Sequence, residues 1–448
     1  MARRRRKRLP DTLFETEVQR LSHEGRGIGD YEGKVVFIEG ALLGETVKYQ
    51  LVYKRKTFLE AVTKEVQNPS DLRVTPPCEY AELCGGCSLQ HMQTEAQIDF
   101  KERTLKEMLA HAGCPEPEQW LPPLTGDTLG YRRKARLGVK NVPKKGGALV
   151  GFREKRSSYL ADIESCKILA PTIGESLTQL REFISQLDAC DTVPQLEIAG
   201  GDEDMAIIVR HLEPMTESDQ NAWTELCQQK GWQLFFQPKG PDTVHRVWPP
   251  LAQDESPRLQ YRLDAFDVEL LFHPTDFTQV NASINQQMVP LALNLLDIQP
   301  EHRVLDLFCG LGNFTIPLAT KAAEVVGVEG SQAMVERGYE NAAHNNLSNV
   351  SFFAADLTKP VDHQPWYRQT YDRVLLDPAR SGALEVIEHL SVWQPEKIVY
   401  VSCNPATLAR DVASLVQLGY RITSVLVMDM FTHTDHVESM MAFEKVKK

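Results

Sequence analysis

Cys403 stands where a chain can deliver a nucleophile. It follows an apolar run, residues 398–401, that reads as a strand covered on both faces. It precedes Asn404 and Pro405, which read as the cap and first residue of a helix continuing through Leu408 and Leu415 to a stop at Gly419. A thiol just before a helix N-terminus lies near unpaired N–H groups and the positive end of the dipole. Its pKa is therefore expected to fall below the free value of about 8.5, which would make it a thiolate nucleophile. Taken alone, the same pattern describes an inert cysteine at a buried strand end, the commoner fate of a lone thiol. A second group of sulfurs, Cys78, Cys84 and Cys87, has C-x5-C-x2-C spacing around Gly85 and Gly86. Those glycines let the backbone curl so that the sulfurs converge, and Cys166, in IESCKIL, is the best candidate for a fourth ligand. Four sulfurs suit zinc or an iron–sulfur cluster, and spacing does not choose between them. Cys114, Cys190 and Cys227 stand alone and are expected to pack or lie exposed without function.

The elements that must position these groups are most legible in the last third of the chain, where strand and helix patterns alternate with the rhythm of a doubly wound sheet. A first strand at 304–307 runs into FCGLGNF, residues 308–314, a glycine-bearing loop that lets a ligand approach the backbone at a helix N-terminus. Strand 325–329 ends at Glu329, whose carboxylate suits the two hydroxyls of a ribose. Strand 351–356 ends at Asp356, placed for an exocyclic adenine amine, and a fourth strand ends at Asp377 in LLDPARSG. This order is that of the methyltransferase version of the fold. The loop lacks the G-x-G-x-x-G of a dinucleotide site and suits a cofactor whose charged end is an amino acid, so S-adenosylmethionine is the expected ligand.

The 448 residues are too many for one ordinary core, so two or three domains are expected. Nine cysteines in a chain of this length do not make a disulfide scaffold, and no apolar run approaches the roughly 20 residues of a membrane span. A cytoplasmic protein with no membrane partner is expected. The net charge of -12 argues against indiscriminate binding to polyanions, but its distribution is uneven. Residues 131–156 hold ten Lys or Arg and one acid; with a basic arm at residues 3–8 they are candidates for phosphate contact, although such runs are most often solvated surface. Short bursts of period-two alternation between residues 16 and 66 suggest a small β-barrel, in which Tyr49, Tyr53, Lys54, Arg55 and Lys56 interleave aromatic and basic side chains able to stack bases and hold phosphates. Residues 68–77 read as a linker and 90–112 as a helix, followed by a proline-rich connection at 115–123.

The chain resembles the bacterial RNA uracil-5-methyltransferases over nearly its whole length. The resemblance rests on FTQVN at 277–281, DLFCGLGNF at 306–314, DPARSG at 377–382, SCNPATLARD at 402–411 and HVES at 436–439. It implies Cys403 as nucleophile and Glu438 as base. Cofactor contacts are implied at Gln279, Phe308, Asn313, Glu329, Asp356 and Asp377, and a [4Fe-4S] cluster on Cys78, Cys84, Cys87 and Cys166. The implied fold is multidomain α/β: a basic arm and OB-like TRAM barrel for RNA binding over 1–68, a central α+β domain with the cysteine cluster over 69–265, and a Rossmann-like methyltransferase domain over 266–448. Barrel and cluster together favour 23S ribosomal RNA as partner and its uridine 1939 as target, with another 23S uridine or a tRNA as the alternative. A monomer is expected.

The implied chemistry needs both a cysteine and a carboxylate. C5 of uracil is too weak a nucleophile to take a methyl group unaided. Thiolate addition at C6 generates an enolate with electron density at C5, and after transfer a base must remove the C5 proton so that the cysteine can leave. Glu438 is expected in the polar loop between strands at 425–431 and 439–443. Cys309 is expected to pack, and His433 and His436 to scaffold that loop or contact substrate. A methyltransferase for a small molecule or protein would use the same cofactor site but not the barrel and basic segment; a noncatalytic RNA-binding scaffold would not need Cys403 and Glu438.

Overall fold

The computed structural model describes residues 9–252 and 256–446, so the basic arm at residues 3–8 lies outside the described residues. The first strands, Phe14–Glu17 through Leu59–Val66, form a six-stranded sheet that curls around one small core of Val18, Val36, Ile38, Val47, Leu51, Leu59 and Ala61. Burial alternates along Thr46–Lys54, as a half-buried strand requires. The alternation sends Tyr49 inward, where it is 1% exposed, so the expected stacking role fails for this residue. Tyr53 instead carries the Arg55 guanidinium over its ring at 4.2 Å.

Residues 68–77 are not a slack linker. Arg73 reaches back to the fully buried carboxylate of Glu45 with two bonds of 2.5 and 2.7 Å, and donates a third to Gly40 O at 2.7 Å. The amides of Leu42 and Ser70 complete the Glu45 shell. Leu89, Met92, Ala96 and Phe100 then pack with Leu42, so the barrel, the cysteine segment and helix Thr94–His111 share one interface.

The central strands form a second six-stranded sheet from Lys134–Val142 to His245–Trp248. Here half of the basic run is paired with acids. Arg133 pairs with Asp202, Arg136 with Glu197, Lys145 with Asp162, and Lys155 and Arg156 with Glu39 of the barrel. Lys134 is turned onto the carbonyls of Pro274 and Asp276. Between this sheet, the barrel and the cysteine loop lies a cleft of about 710 Å³ that Arg26, Arg136, Arg153 and Lys155 line together with Glu39 and Asp435.

The C-terminal sheet has eight strands in the order Val350–Ala354, Glu324–Glu329, Arg303–Leu307, Arg373–Leu376, Lys397–Ser402, Glu438–Lys445, Tyr420–Met428, Gln119–Trp120. Both faces are covered: Val399 and Val401 join one core, Ile398 and Tyr400 the other. The order reverses between Arg303–Leu307 and Arg373–Leu376, which opens a crevice at their carboxyl ends. The third parallel strand ends at Ala354, leaving Asp356 two residues beyond it rather than at its tip. The proline-rich connection adds an edge strand, Gln119–Trp120, parallel to Tyr420–Met428; two residues among prolines carry too little periodicity to announce it. Among the described residues no helix is long and apolar enough to cross a membrane.

Burial pushes the Glu45 carboxyl up, but Arg73 and the two amides outweigh it and hold the pKa below its ordinary value. Its contribution is therefore present above the unfolded-state pKa of about 4.3 and lost as pH falls through the lower folded value. Arg73→Met leaves the charge buried and unpaired, and at pH 7 should lower hydrogen-exchange protection across Thr46–Lys54 by about 3 kcal/mol. Unchanged protection would show the pair to be incidental to the barrel.

Candidate active site

The site lies at the carboxyl edge of the eight-stranded sheet. Asn404 caps helix Pro405–Gln417 by accepting from the Ala406 amide, so Cys403 occupies the turn between strand and helix as the sequence predicts. Strand Glu438–Lys445 runs antiparallel to Lys397–Ser402, with Ser439 opposite Ser402. One step outward along that register sets Glu438 opposite Cys403. Glu438 is the first residue of this strand, not part of the preceding loop. Asp377 follows the neighbouring strand Arg373–Leu376, and its loop is tied to the same helix: Arg380 O accepts from Asn404 Nδ2 at 3.0 Å and Thr407 Oγ1 at 3.2 Å.

Asp411, in the sequence one residue of the SCNPATLARD motif, holds this corner together. Fully buried, it accepts from the Ala383 amide and from the Tyr400 hydroxyl, each at 2.7 Å, and from Arg410. The available signal was its position: 408, 411, 412 and 415 form the apolar stripe of the helix, where a carboxylate is out of place unless it is bonded.

Electrostatics correct one expectation. Burial, then the carboxylates of Glu438 and Asp377, push the Cys403 thiol up to about 11, against the opposing influence of Arg380 and the backbone. The helix N-terminus does not make a resting thiolate, because desolvation beside two acids outweighs a dipole effect of about 1 kcal/mol. Burial and Asp377 raise Glu438 to about 8, while Lys101 and Arg380 act downward. Burial raises Asp377 to about 7.

At the crevice, Phe308 adopts φ +65°, a strained choice for a residue with a side chain, and begins the glycine loop. A Cβ at Gly310 would meet nothing within 4 Å, so the loop faces open space. Glu329 accepts from the amides of Gly310 and Ser331, both at 3.1 Å, and so orients the loop with oxygen lone pairs to spare. Asp356 is half-exposed; bonds from Lys359 and Thr358 hold its carboxyl down at about 2. Asn313 is committed internally, exchanging two bonds of 3.0 Å with Asn285 and accepting from the Tyr261 hydroxyl at 2.8 Å. Gln279 lines a smaller pocket with Arg133, Tyr261 and Asn285. Cys309 is buried in the core and packs as expected. His433 scaffolds its loop, donating its amide to Gln97 and accepting from those of Ser88 and Leu89, while His436 lies 3.1 Å from Arg380.

Cys78, Cys84, Cys87 and Cys166 border one cavity walled by Tyr80, Phe152, Ile163 and Ile168. The glycines matter there: a Cβ at Gly85 would come within 3.1 Å of Arg153 O, and one at Gly86 within 3.3 Å of the Phe152 ring. None of the nine cysteines is in a disulfide. Among the described residues no three His, Cys, Asp or Glu form a group arranged to hold a single metal ion.

The raised Cys403 thiol makes a measurable difference. Alkylation by iodoacetamide, followed on the Cys403 peptide by mass spectrometry, should have a pH midpoint above the free-thiol value of about 8.5, and Glu438→Gln should lower it by removing a neighbouring negative charge. A wild-type midpoint below 8.5 would restore the helix-dipole expectation.

Known proteins are similar to this chain at each of these levels. Residues 260–446 match the family model described as tRNA (Uracil-5-)-methyltransferase, and residues 13–63 match the TRAM domain. The 23S rRNA (uracil(1939)-C(5))-methyltransferase RlmD of Alcanivorax borkumensis is 56% identical over 99% of both chains, and that of Alkalilimnicola ehrlichii is 51% identical over 99% of both. The crystal structure of Pyrococcus abyssi tRNA (uracil-54, C5)-methyltransferase with S-adenosyl-L-homocysteine has TM-score 0.74 and 25% identity, covering 96% of this chain and 99% of that one. Such identity, sustained from the barrel to the last strand, has one explanation: the chain belongs to the RNA uracil-5-methyltransferase family.

Proposed function

We propose that this protein methylates C5 of a uridine in 23S ribosomal RNA, uridine 1939 in the usual numbering, in the cytoplasm. The observation that carries the reading is the strand register that sets Glu438 opposite Cys403 at the edge of the cofactor crevice. The relatives named for this activity match the whole chain, including the barrel and the cysteine segment.

We assign S-adenosylmethionine to the crevice: the open glycine loop would take its amino-acid end and Glu329 and Asp356 the ribose and the adenine, with Gln279, Phe308, Asn313 and Asp377 as the further contacts the family resemblance implies. When bound, it supplies an electrophilic sulfonium methyl to C5. The chain's own residues do the remainder. Cys403 Sγ, its proton lost to solvent and its thiolate favoured by Arg380, adds to C6, and the C5–C6 π electrons move into the O4 enolate that makes C5 nucleophilic. After C5 has taken the methyl group, Glu438 accepts the C5 proton; the electrons of that bond re-form C5–C6 and expel the cysteine. A carboxyl held at about 8 suits this step, because a base is most effective when its pKa lies near the working pH. The cleft between barrel, central sheet and cysteine loop, with Arg26, Arg136 and Arg153 on its walls, is a path for the RNA backbone.

Cys78, Cys84, Cys87 and Cys166 would hold a [4Fe-4S] cluster. Four sulfurs bordering one apolar cavity suit such a cluster. The methyl transfer moves no net electrons, so the cluster's contribution is structural. Protein purified without oxygen should be brown and contain iron, and Cys84→Ser should lose both; stoichiometric zinc without iron would overturn the assignment.

The two catalytic residues should fail differently. Cys403→Ala forms no adduct and transfers no methyl group while still binding the cofactor. Glu438→Gln permits addition and transfer but stalls before elimination, so a methylated protein–RNA adduct should accumulate as a retarded band on a denaturing gel. Normal turnover by Glu438→Gln, without a trapped species, would assign the base elsewhere.

A further inference from the structure

Helix Thr94–His111 lies far from Glu438 in sequence, yet it carries a charge into the layer beneath the site. The helix packs on strand Tyr420–Met428 and on helix Pro405–Gln417. Its apolar stripe, Ile98, Leu105 and Leu109, is interrupted by Lys101, whose side chain is 0% exposed. Lys101 Nζ donates to Asp429 Oδ1 at 2.6 Å and to Phe431 O at 3.1 Å, and Asp429 Oδ2 accepts from Thr432 Oγ1 at 2.8 Å. Asp429 directly follows Met428, the residue that pairs across the sheet with Glu438. The same helix grips the next turn: Gln97 Oε1 accepts from the His433 amide at 2.9 Å, which helps hold His433 at φ +67°. One helix therefore holds the turn leading into Glu438 at Asp429, Phe431 and His433.

A buried ion pair is a poor way to obtain stability alone, since two apolar residues of the same volume often serve as well or better. A fixed cation in a low-dielectric layer does something an apolar pair cannot: it acts on any ionisable group nearby. We propose that Lys101 is a positioning residue for the reaction, clamping the 429–436 turn and supplying the buried positive charge that keeps Glu438 ionisable when it must accept the C5 proton. This rests on Glu438 as the base. Besides Lys101, the groups that act on Glu438 are Asp377 and Arg380 of the 377–382 loop; Cys403 of the strand–helix turn lies beside it, and Asp429, Asp435 and His436 are the other titratable groups of its own turn. Asp377 acts with burial to raise Glu438, and Lys101 and Arg380 oppose it. Of these two cations, Arg380 is exposed and screened by solvent, whereas Lys101 is not.

The test is single-turnover release of tritium from RNA carrying 5-tritiated uridine, which reports proton removal itself, measured against pH. Lys101→Met should move the midpoint of the ascending limb upward by roughly one unit, and Lys101→Arg, which keeps the charge, should return it toward wild type. Lys101→Met leaves Asp429 unpaired and risks misfolding, so Lys101→Met with Asp429→Leu, an apolar pair, is measured in parallel; a smaller upward shift should remain there, because the Asp429 charge removed with the lysine opposes it. A lower rate with an unmoved midpoint in both Lys101→Met and the double variant would reduce Lys101 to a structural residue and overturn the proposal. Failure of the underlying reading would look different: Glu438→Gln would then release tritium along the wild-type limb.

Discussion

The antiparallel pairing of Glu438–Lys445 with Lys397–Ser402 is the constraint on which the site depends. In a purely parallel sheet every strand reaches the ligand crevice at its carboxyl end, and a residue at a strand's amino end lies on the opposite edge. Reversing one strand brings its first residue to the crevice. Glu438 thus meets Cys403 without any long loop, and the hydrogen-bonded ladder fixes its height along the sheet. A register slip of one residue would turn Glu438 to the other face.

Buried charges at the junctions keep this arrangement rigid. Asp411 fastens the 377–382 loop to the helix that begins beside Cys403, Lys101 and Asp429 fasten the turn before Glu438, and Arg73 with Glu45 fastens the barrel to the cysteine segment. Each carries a desolvation penalty, so each is tolerated only in the geometry that satisfies all its partners. Contacts also run from the cysteine segment to the catalytic edge, where the Ser88 and Leu89 amides both donate to His433 O and Ser88 Oγ to Asp435 at 3.0 Å. Loss of order at the cysteines would therefore reach the site through one short, fully bonded path.

The raised carboxyls and thiol follow from the same packing. Burial raises Cys403, Glu438 and Asp377 alike, Asp377 further disfavours charge on Glu438, and both carboxylates disfavour it on Cys403, so the resting site holds fewer negative charges than its composition implies. A proton acceptor of about pKa 8 beside a protonated thiol is suited to a reaction in which the proton inventory changes at each step.

The sequence by itself determined whatever is encoded locally. The strand–Cys403–Asn404–Pro405–helix unit, the glycine loop and the period-two strands of the barrel were readable because apolar periodicity, caps and turn residues act over a few residues. Motif spacing carried the family and the cysteine set. Only the tertiary structure decided the sign of the Cys403 shift, since that depends on carboxylates brought in by two other strands. It alone turned Tyr49 into the barrel core, paired half of the basic run with acids from distant segments, and showed Gln119–Trp120 to be a strand. Lys101 and Asp411 left a trace in the sequence as charges on apolar helical stripes, but what they bond to lies elsewhere in the chain. Desolvation and charge pairing are sums over spatial neighbours, and no pattern along the chain records who those neighbours will be.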